Sequence, residues 1–318
     1  MAEDKIAPAL AMATGVLVGM PPTRAVPGKR ALVLGGGGSA GNAWEVGVLA
    51  GLFEAGLDLT QAELIIGTSA GSTAAAQIAS TPPPELLAAI FAETPPRTAP
   101  AGSESRRLGG GSGADQMDRT SRIIAAAADP ADMRRRMGAA AIEMDAASDG
   151  VWSVRWRATV AARLPTLRWP EQAVLITAVD ALTGEPVVFD RHSGVDLVDA
   201  IAASTSASLP YKIADKRYID GGYRRNENAD LAAGCECVLV LSPFGGGTRH
   251  PLEWGMQLAG QIDELRSRGS RVETVLPDAH ALASFGSNMM DLSARPPAAR
   301  AGCGQGRALA EQLTRFWR

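Results

Sequence analysis

A chain of 318 residues with 46% hydrophobic and 20% charged side chains has the material for a substantial core, which excludes a disordered chain. Its 31 Lys and Arg against 34 Asp and Glu leave a net charge of −3, so no global basic excess exists to hold a polyphosphate, and nucleic acid is not an expected partner. Cys235, Cys237 and Cys303 are an odd number with no second ligand pair at zinc-like spacing, so they read as reduced structural thiols rather than a disulfide framework or a metal site.

The first feature along the chain is the apolar run Ile6 to Met20, about as long as a secretory h-region. Glu3 and Asp4 precede it and Lys5 alone supplies positive side-chain charge, so an uncleaved, cytoplasmic chain is expected, secretion being the alternative. The run is too short, and too rich in Ala, Gly and Pro, for a membrane span of ~20 residues. Residues 1–29 read as an N-terminal extension and 30–318 as a single domain.

"ALVL", Ala31 to Leu34, is a short continuous apolar run ending in glycines, the pattern of a buried parallel strand. Helical spacing follows from Asn42 to Ala55. "ELII", Glu63 to Ile66, is a second buried strand, and it breaks at Gly67 into a small-residue helix suited to close packing on a sheet. Thr94 to Gly113, with its prolines and "RLGGGSGAD", reads as a mobile surface loop bordering a site.

Met117 to Ala162 is mainly helical, and "AVLITAVDALTGEPVVFD" reads as two strands joined by a turn at Thr183-Gly184. A helix from Leu197 to Ser206, a hairpin around Lys212 to Tyr218, the buried strand "CVLVLSP" and a helical tail over 257–318 complete the order. There is no internal repeat. The element order predicts an α/β fold with a mostly parallel sheet covered by helices.

Gly36, Gly38 and Gly41 fall on the spacing G-x-G-x-x-G. A dinucleotide site would also need an acidic residue about 20 positions on, at the end of the second strand. Asp58 precedes that strand; what ends it is Gly67-Thr68-Ser69-Ala70-Gly71. This is G-x-S-x-G between a strand and a helix, the setting of a nucleophile elbow, with Gly67 and Gly71 as small flanks and Ser69 pushed outward. Acyl transfer builds negative charge on a carbonyl oxygen, and a glycine loop one strand earlier supplies backbone donors for it. Gly36, Gly37 and Gly38, with Ala70 after the serine, therefore read as an oxyanion hole.

The serine needs a base. His192, His250 and His280 lie in undistinguished neighbourhoods. Asp220, in "YIDGGYRRN", ends an apolar approach and precedes Gly221 and Gly222, where the backbone can fold close to another loop and the carboxylate can reach Ser69.

The glycine loop, G-x-S-x-G and Asp-Gly-Gly, in this order and at these separations, resemble the patatin-like phospholipase family. "LITAVDALTGEPVVFD", "DAIAASTSASLP" and "DGGYRRNENADLAAG" extend the resemblance over 31–243, and "PDAHALASFGSN" is similar to the tails of bacterial members. The resemblance implies a three-layer α/β/α fold and hydrolysis of acyl esters of lipids without a metal or cofactor. It also implies a Ser-Asp dyad, with Ser69 as nucleophile forming an acyl-enzyme and Asp220 as base. Where the family commonly carries Arg or Lys in the glycine loop this chain has Ala40, and the segment to Gly47 is one residue longer than in many members, which bears on phospholipid preference more than on ester hydrolysis. Two other readings stay open: a Ser-His-Asp hydrolase using His250 or His280, and a non-catalytic lipid-binding module.

Three of the six tryptophans lie between Trp152 and Trp169 among arginines, and Trp152 and Trp156 share a helix face. With Arg155 and Arg157 this stretch either rests on an anionic membrane or covers the core while the arginines stay wet.

Overall fold

The computed structural model describes residues 25–93, 113–148 and 150–318. The apolar run Ile6 to Met20, and the loop read over Thr94 to Gly113 apart from its last residue, lie outside them. The described elements are, in order, β1 (Val26–Leu34), α1 (Gly38–Glu54), β2 (Leu64–Thr68), α2 (Ala70–Ile78), α3 (Pro83–Ala92), α4 (Gly113–Ala126), α5 (Pro130–Ala146) and α6 (Trp152–Ala161). They continue with β3 (Val174–Asp180), β4 (Pro186–Phe189), α7 (Leu197–Ser204), β5 (Tyr211–Ile213), β6 (Lys216–Asp220), β7 (Cys235–Leu241), α8 (Leu258–Ser267), β8 (Arg271–Val275), α9 (Ala279–Phe285) and α10 (Arg295–Trp317).

The strands form one sheet in the order β5-β6-β3-β2-β1-β7-β8, with β4 pairing β3. From β3 across β2, β1 and β7 to β8 every pairing is parallel; β4, β5 and β6 add antiparallel pairs at one side. Alternate residues of β1 serve opposite faces: Leu32 and Leu34 join a core with α1, α2, α7 and α10, while Ala31 and Val33 join Leu258 and Leu265 of α8. Burial on both faces is why these strands are continuous apolar runs in the sequence.

Two elements depart from the sequence reading. β1 begins at Val26, inside the segment read as an extension. The tail is not wholly helical: β8, "RVETV", pairs parallel with β7 at the edge of the sheet, burying Val272 and Val275 on opposite faces and leaving Arg271 exposed.

α1 is buried from Ser39 through Leu52, so it lies inside the layer rather than on it. α10 covers it through reciprocal glycines. A Cβ on Gly47 or Gly51 would strike the carbonyls of Ala299 or Cys303, and one on Gly302 or Gly306 those of Trp44 or Val48. The two backbones touch because neither helix has side chains at the crossing.

Candidate active site

Ser69 stands alone between the last residue of β2 and the first of α2, at φ 51° and ψ −118°, a region that L-residues rarely occupy. The sequence makes this turn by keeping its flanks small. A Cβ on Gly67 would come 2.5 Å from Ser72 Cα, and one on Gly71 would strike the Leu34 carbonyl. Three contacts hold the strained turn: the Ser69 N–H donates to Ser204 Oγ (2.9 Å), Ser72 Oγ donates to the Ser69 carbonyl (2.6 Å), and the Gly71 N–H donates to the Gly35 carbonyl (3.1 Å).

Asp220 ends β6. Its Oδ2 accepts from Ser69 Oγ at 2.7 Å and its Oδ1 from the Gly222 N–H at 2.8 Å. Gly221 lies against Thr177, where a Cβ would meet the Thr177 carbonyl, and a Cβ on Gly222 would come within 3.1 Å of Asp220 Oδ1. Burial pushes the Asp220 carboxyl up to about 6, against the two hydrogen bonds that favour its charged form. Near neutral pH the group is therefore mainly a carboxylate, poised to take the Ser69 proton across the bond already present.

The glycine loop presses on this pair. A Cβ on Gly36 would lie 3.5 Å from Ser69 Cβ and 2.6 Å from Asn226 Oδ1. One of the four expected donors is corrected here: the Gly36 N–H donates to the Asn226 carbonyl at 3.0 Å, so Gly36 supplies room rather than a free donor. Gly37 packs on Pro243, and Gly38, at φ 62°, lies beneath the Met289 carbonyl. Among the described residues the N–H groups of Gly37, Gly38 and Ala70 meet no protein acceptor. They stand at the starts of α1 and α2, where helix N–H groups have no intrahelical partner.

Ala40 is buried, its N–H bonded to the Met289 carbonyl (2.9 Å). A cation approaches the same helix start from elsewhere: Arg295 of α10, 8% exposed, donates to the Ser39 carbonyl (3.3 Å) and Asn42 Oδ1 (3.0 Å), and pairs through two bonds with Glu93. Arg295, Met289, Ser204 and Asn226 were not identified in the sequence. They act through position alone, and only "NEN" at 226–228, three residues after Asp-Gly-Gly, was a usable signal.

No histidine bonds to Ser69 or Asp220. His250 shares a bond with Thr248 and stacks on Trp254, and His192 and His280 are exposed. Asp58 accepts from the Thr60 N–H in a local turn. The three cysteines are free and buried. Of the two readings of the tryptophan stretch, packing takes the second. Trp156 Nε1 donates inward to the Ala202 carbonyl (3.2 Å), Trp152 stacks on it, both pack against the core, and Arg157 pairs with Asp199 and Asp196. Arg155, also assigned to the membrane face, has interactions of its own. Among the described residues no group of His, Cys, Asp or Glu could hold a metal ion, and no helix is long and apolar enough to cross a membrane.

A family model for patatin-like phospholipases matches residues 32–233, a span holding the glycine loop, the serine turn and the Asp-Gly-Gly turn. The chain belongs to the patatin-like phospholipase family, one of lipid acyl hydrolases. Among solved structures it is similar to VipD from Legionella pneumophila (13% identity, TM-score 0.41, covering 91% of this chain and 68% of that one). It is also similar to the type III effector protein ExoU (16% identity, TM-score 0.36, covering 91% and 54%). A search of curated proteins finds no match.

Proposed function

We propose that this protein is a serine-dependent hydrolase of carboxylic esters in lipids or simpler acyl esters, working through Ser69 and Asp220 without a histidine or a metal. The observation that carries the reading is the 2.7 Å bond from Ser69 Oγ to Asp220 Oδ2 at a strained strand-helix turn. As Ser69 Oγ attacks the ester carbonyl, its proton passes to Asp220 Oδ2. The carbonyl oxygen, now negative, is met by the N–H groups of Gly37, Gly38 and Ala70, aided by the positive ends of α1 and α2. Collapse expels the alcohol, which takes up the proton, and leaves an acyl group on Ser69. Asp220 then draws a proton from water as it attacks the acyl-enzyme, and free acid and Ser69 are restored.

The test is hydrolysis of p-nitrophenyl butyrate and a long-chain ester in EDTA. Ser69→Ala should lose activity by at least about 10⁴-fold, and Asp220→Asn by about 10²–10⁴-fold, both folded. Replacing His192, His250 and His280 by Ala should leave the rate intact. A folded Asp220→Asn variant with full rate, or activity that disappears with EDTA, would sink this reading.

A further inference from the structure

Ser69 and Asp220 sit on strands that do not touch. β2 and β6 pair one after the other along the same edge of β3, whose other edge is taken by β4. The β2–β3 register ends at Thr68 opposite Thr177, and the β3–β6 register starts at Ala178 opposite Asp220. The pair therefore spans the point where β3 changes partners, and no direct ladder between β2 and β6 sets its length.

Asn228 lies at that point. It is fully buried and left-handed, at φ 54° and ψ 35°, a conformation Asn tolerates better than most residues. Its Nδ2 is within hydrogen-bond distance of Thr68 Oγ1 (3.0 Å), Thr177 Oγ1 (3.2 Å), the Gly221 carbonyl (3.3 Å) and the Arg225 carbonyl (2.6 Å). Thr177 Oγ1 also donates to Thr68 Oγ1 at 3.0 Å, and Asn228 Oδ1 accepts from Arg224. Two N–H protons are thus shared among four acceptors. One acceptor belongs to the residue directly before Ser69, and another to the residue directly after Asp220.

We propose that Asn228 is a positioning residue that sets the Ser69–Asp220 separation by tying Thr68, Thr177 and Gly221 to one buried amide. The proposal rests on Ser69 and Asp220 being the reacting pair. Asn228 touches neither Ser69 Oγ nor the Asp220 carboxylate; it fixes the backbones that carry them. A misplacement of about 1 Å between reacting groups costs on the order of 10²-fold in rate.

Asn228→Gly keeps the left-handed backbone and removes the amide. We expect kcat on p-nitrophenyl butyrate to fall about 10–100-fold with KM within about twofold. The acid limb of the rate should move to higher pH, because the Ser69 hydrogen bond that favours the Asp220 carboxylate is weakened. A merely structural Asn228 would lower Tm and leave both kcat and the limb in place, and that result in folded protein overturns the proposal. If Asn228→Gly does not fold, Thr68→Val and Thr177→Val each strip one hydroxyl from the same hub. Wild-type kcat and an unmoved limb in both would equally overturn it. Asp220→Asn, assayed in parallel, separates the failures. Full rate there removes the reacting pair and this inference with it, whereas an inactive Asp220→Asn beside a fully active Asn228→Gly removes Asn228 alone.

Discussion

Asp220 spends burial on basicity. A carboxylate with an ordinary value of about 3.9 would be a weak base for a serine hydroxyl, and desolvation raises this one to about 6. In the proposed mechanism the active form is the deprotonated one, so kcat/KM should rise with pH through a midpoint at about 6 and then level off. Below that midpoint the rate should fall about tenfold per pH unit, a limb read directly from a pH profile of the purified enzyme. A second buried carboxyl has no such use. Glu45 of α1 is fully buried and neither oxygen has a hydrogen-bond partner among the described residues; burial pushes it well above the usual carboxylate range, opposed only in part by the nearby Gly35 backbone. An acid raised in the folded state contributes its full stability below the unfolded value and loses it as pH climbs toward the folded one. Glu45→Gln has no such loss. Its stability advantage over wild type, measured by urea unfolding, should widen from pH 5 to pH 8. The gap should grow by about 1.4 kcal/mol per pH unit while the carboxyl is ionised only in the unfolded chain.

Among the elements, α1 and α10 depend on each other most closely. Because a Cβ at Gly302 would strike the Trp44 carbonyl, Gly302→Ala should push the helices apart and cost about 1–3 kcal/mol. Gly304, two residues on in the same helix, has open space around it, so Gly304→Ala should gain up to about 1 kcal/mol from helix propensity. Thermal or urea unfolding of the two variants side by side checks the opposite signs. The same contrast explains what the sequence could tell. Gly67, Gly71 and Gly221 were legible because each belongs to a short contiguous motif, although only Gly67 meets a residue of its own turn, Gly71 and Gly221 being pressed by Leu34 and Thr177. Gly302 and Gly306 were not, since what makes them necessary lies more than 250 positions away in α1. β8 was missed for a related reason: an edge strand of five residues with Arg, Glu and Thr has too little apolar periodicity to stand out from the helices on either side.

Over the whole molecule, the order of strands and the two motif turns could be read because each is written in contiguous residues. The support of the site could not, because it converges from distant segments. Asn226 spends the Gly36 donor, Met289 carries the Ala40 N–H, and Arg295 reaches the start of α1 from α10. The Met289 contact bears on the life of the chain before it is complete. A ribosome delivers the glycine loop and Ser69 early and Asp220 much later, and domains fold as their segments emerge. Yet the carbonyl that holds Ala40, and the helix that closes over α1, arrive only after residue 288 has been made. Nascent chains short of that point carry Ser69 and Asp220 without the brace that holds the loop, so the finished geometry of this site waits on a segment far beyond both.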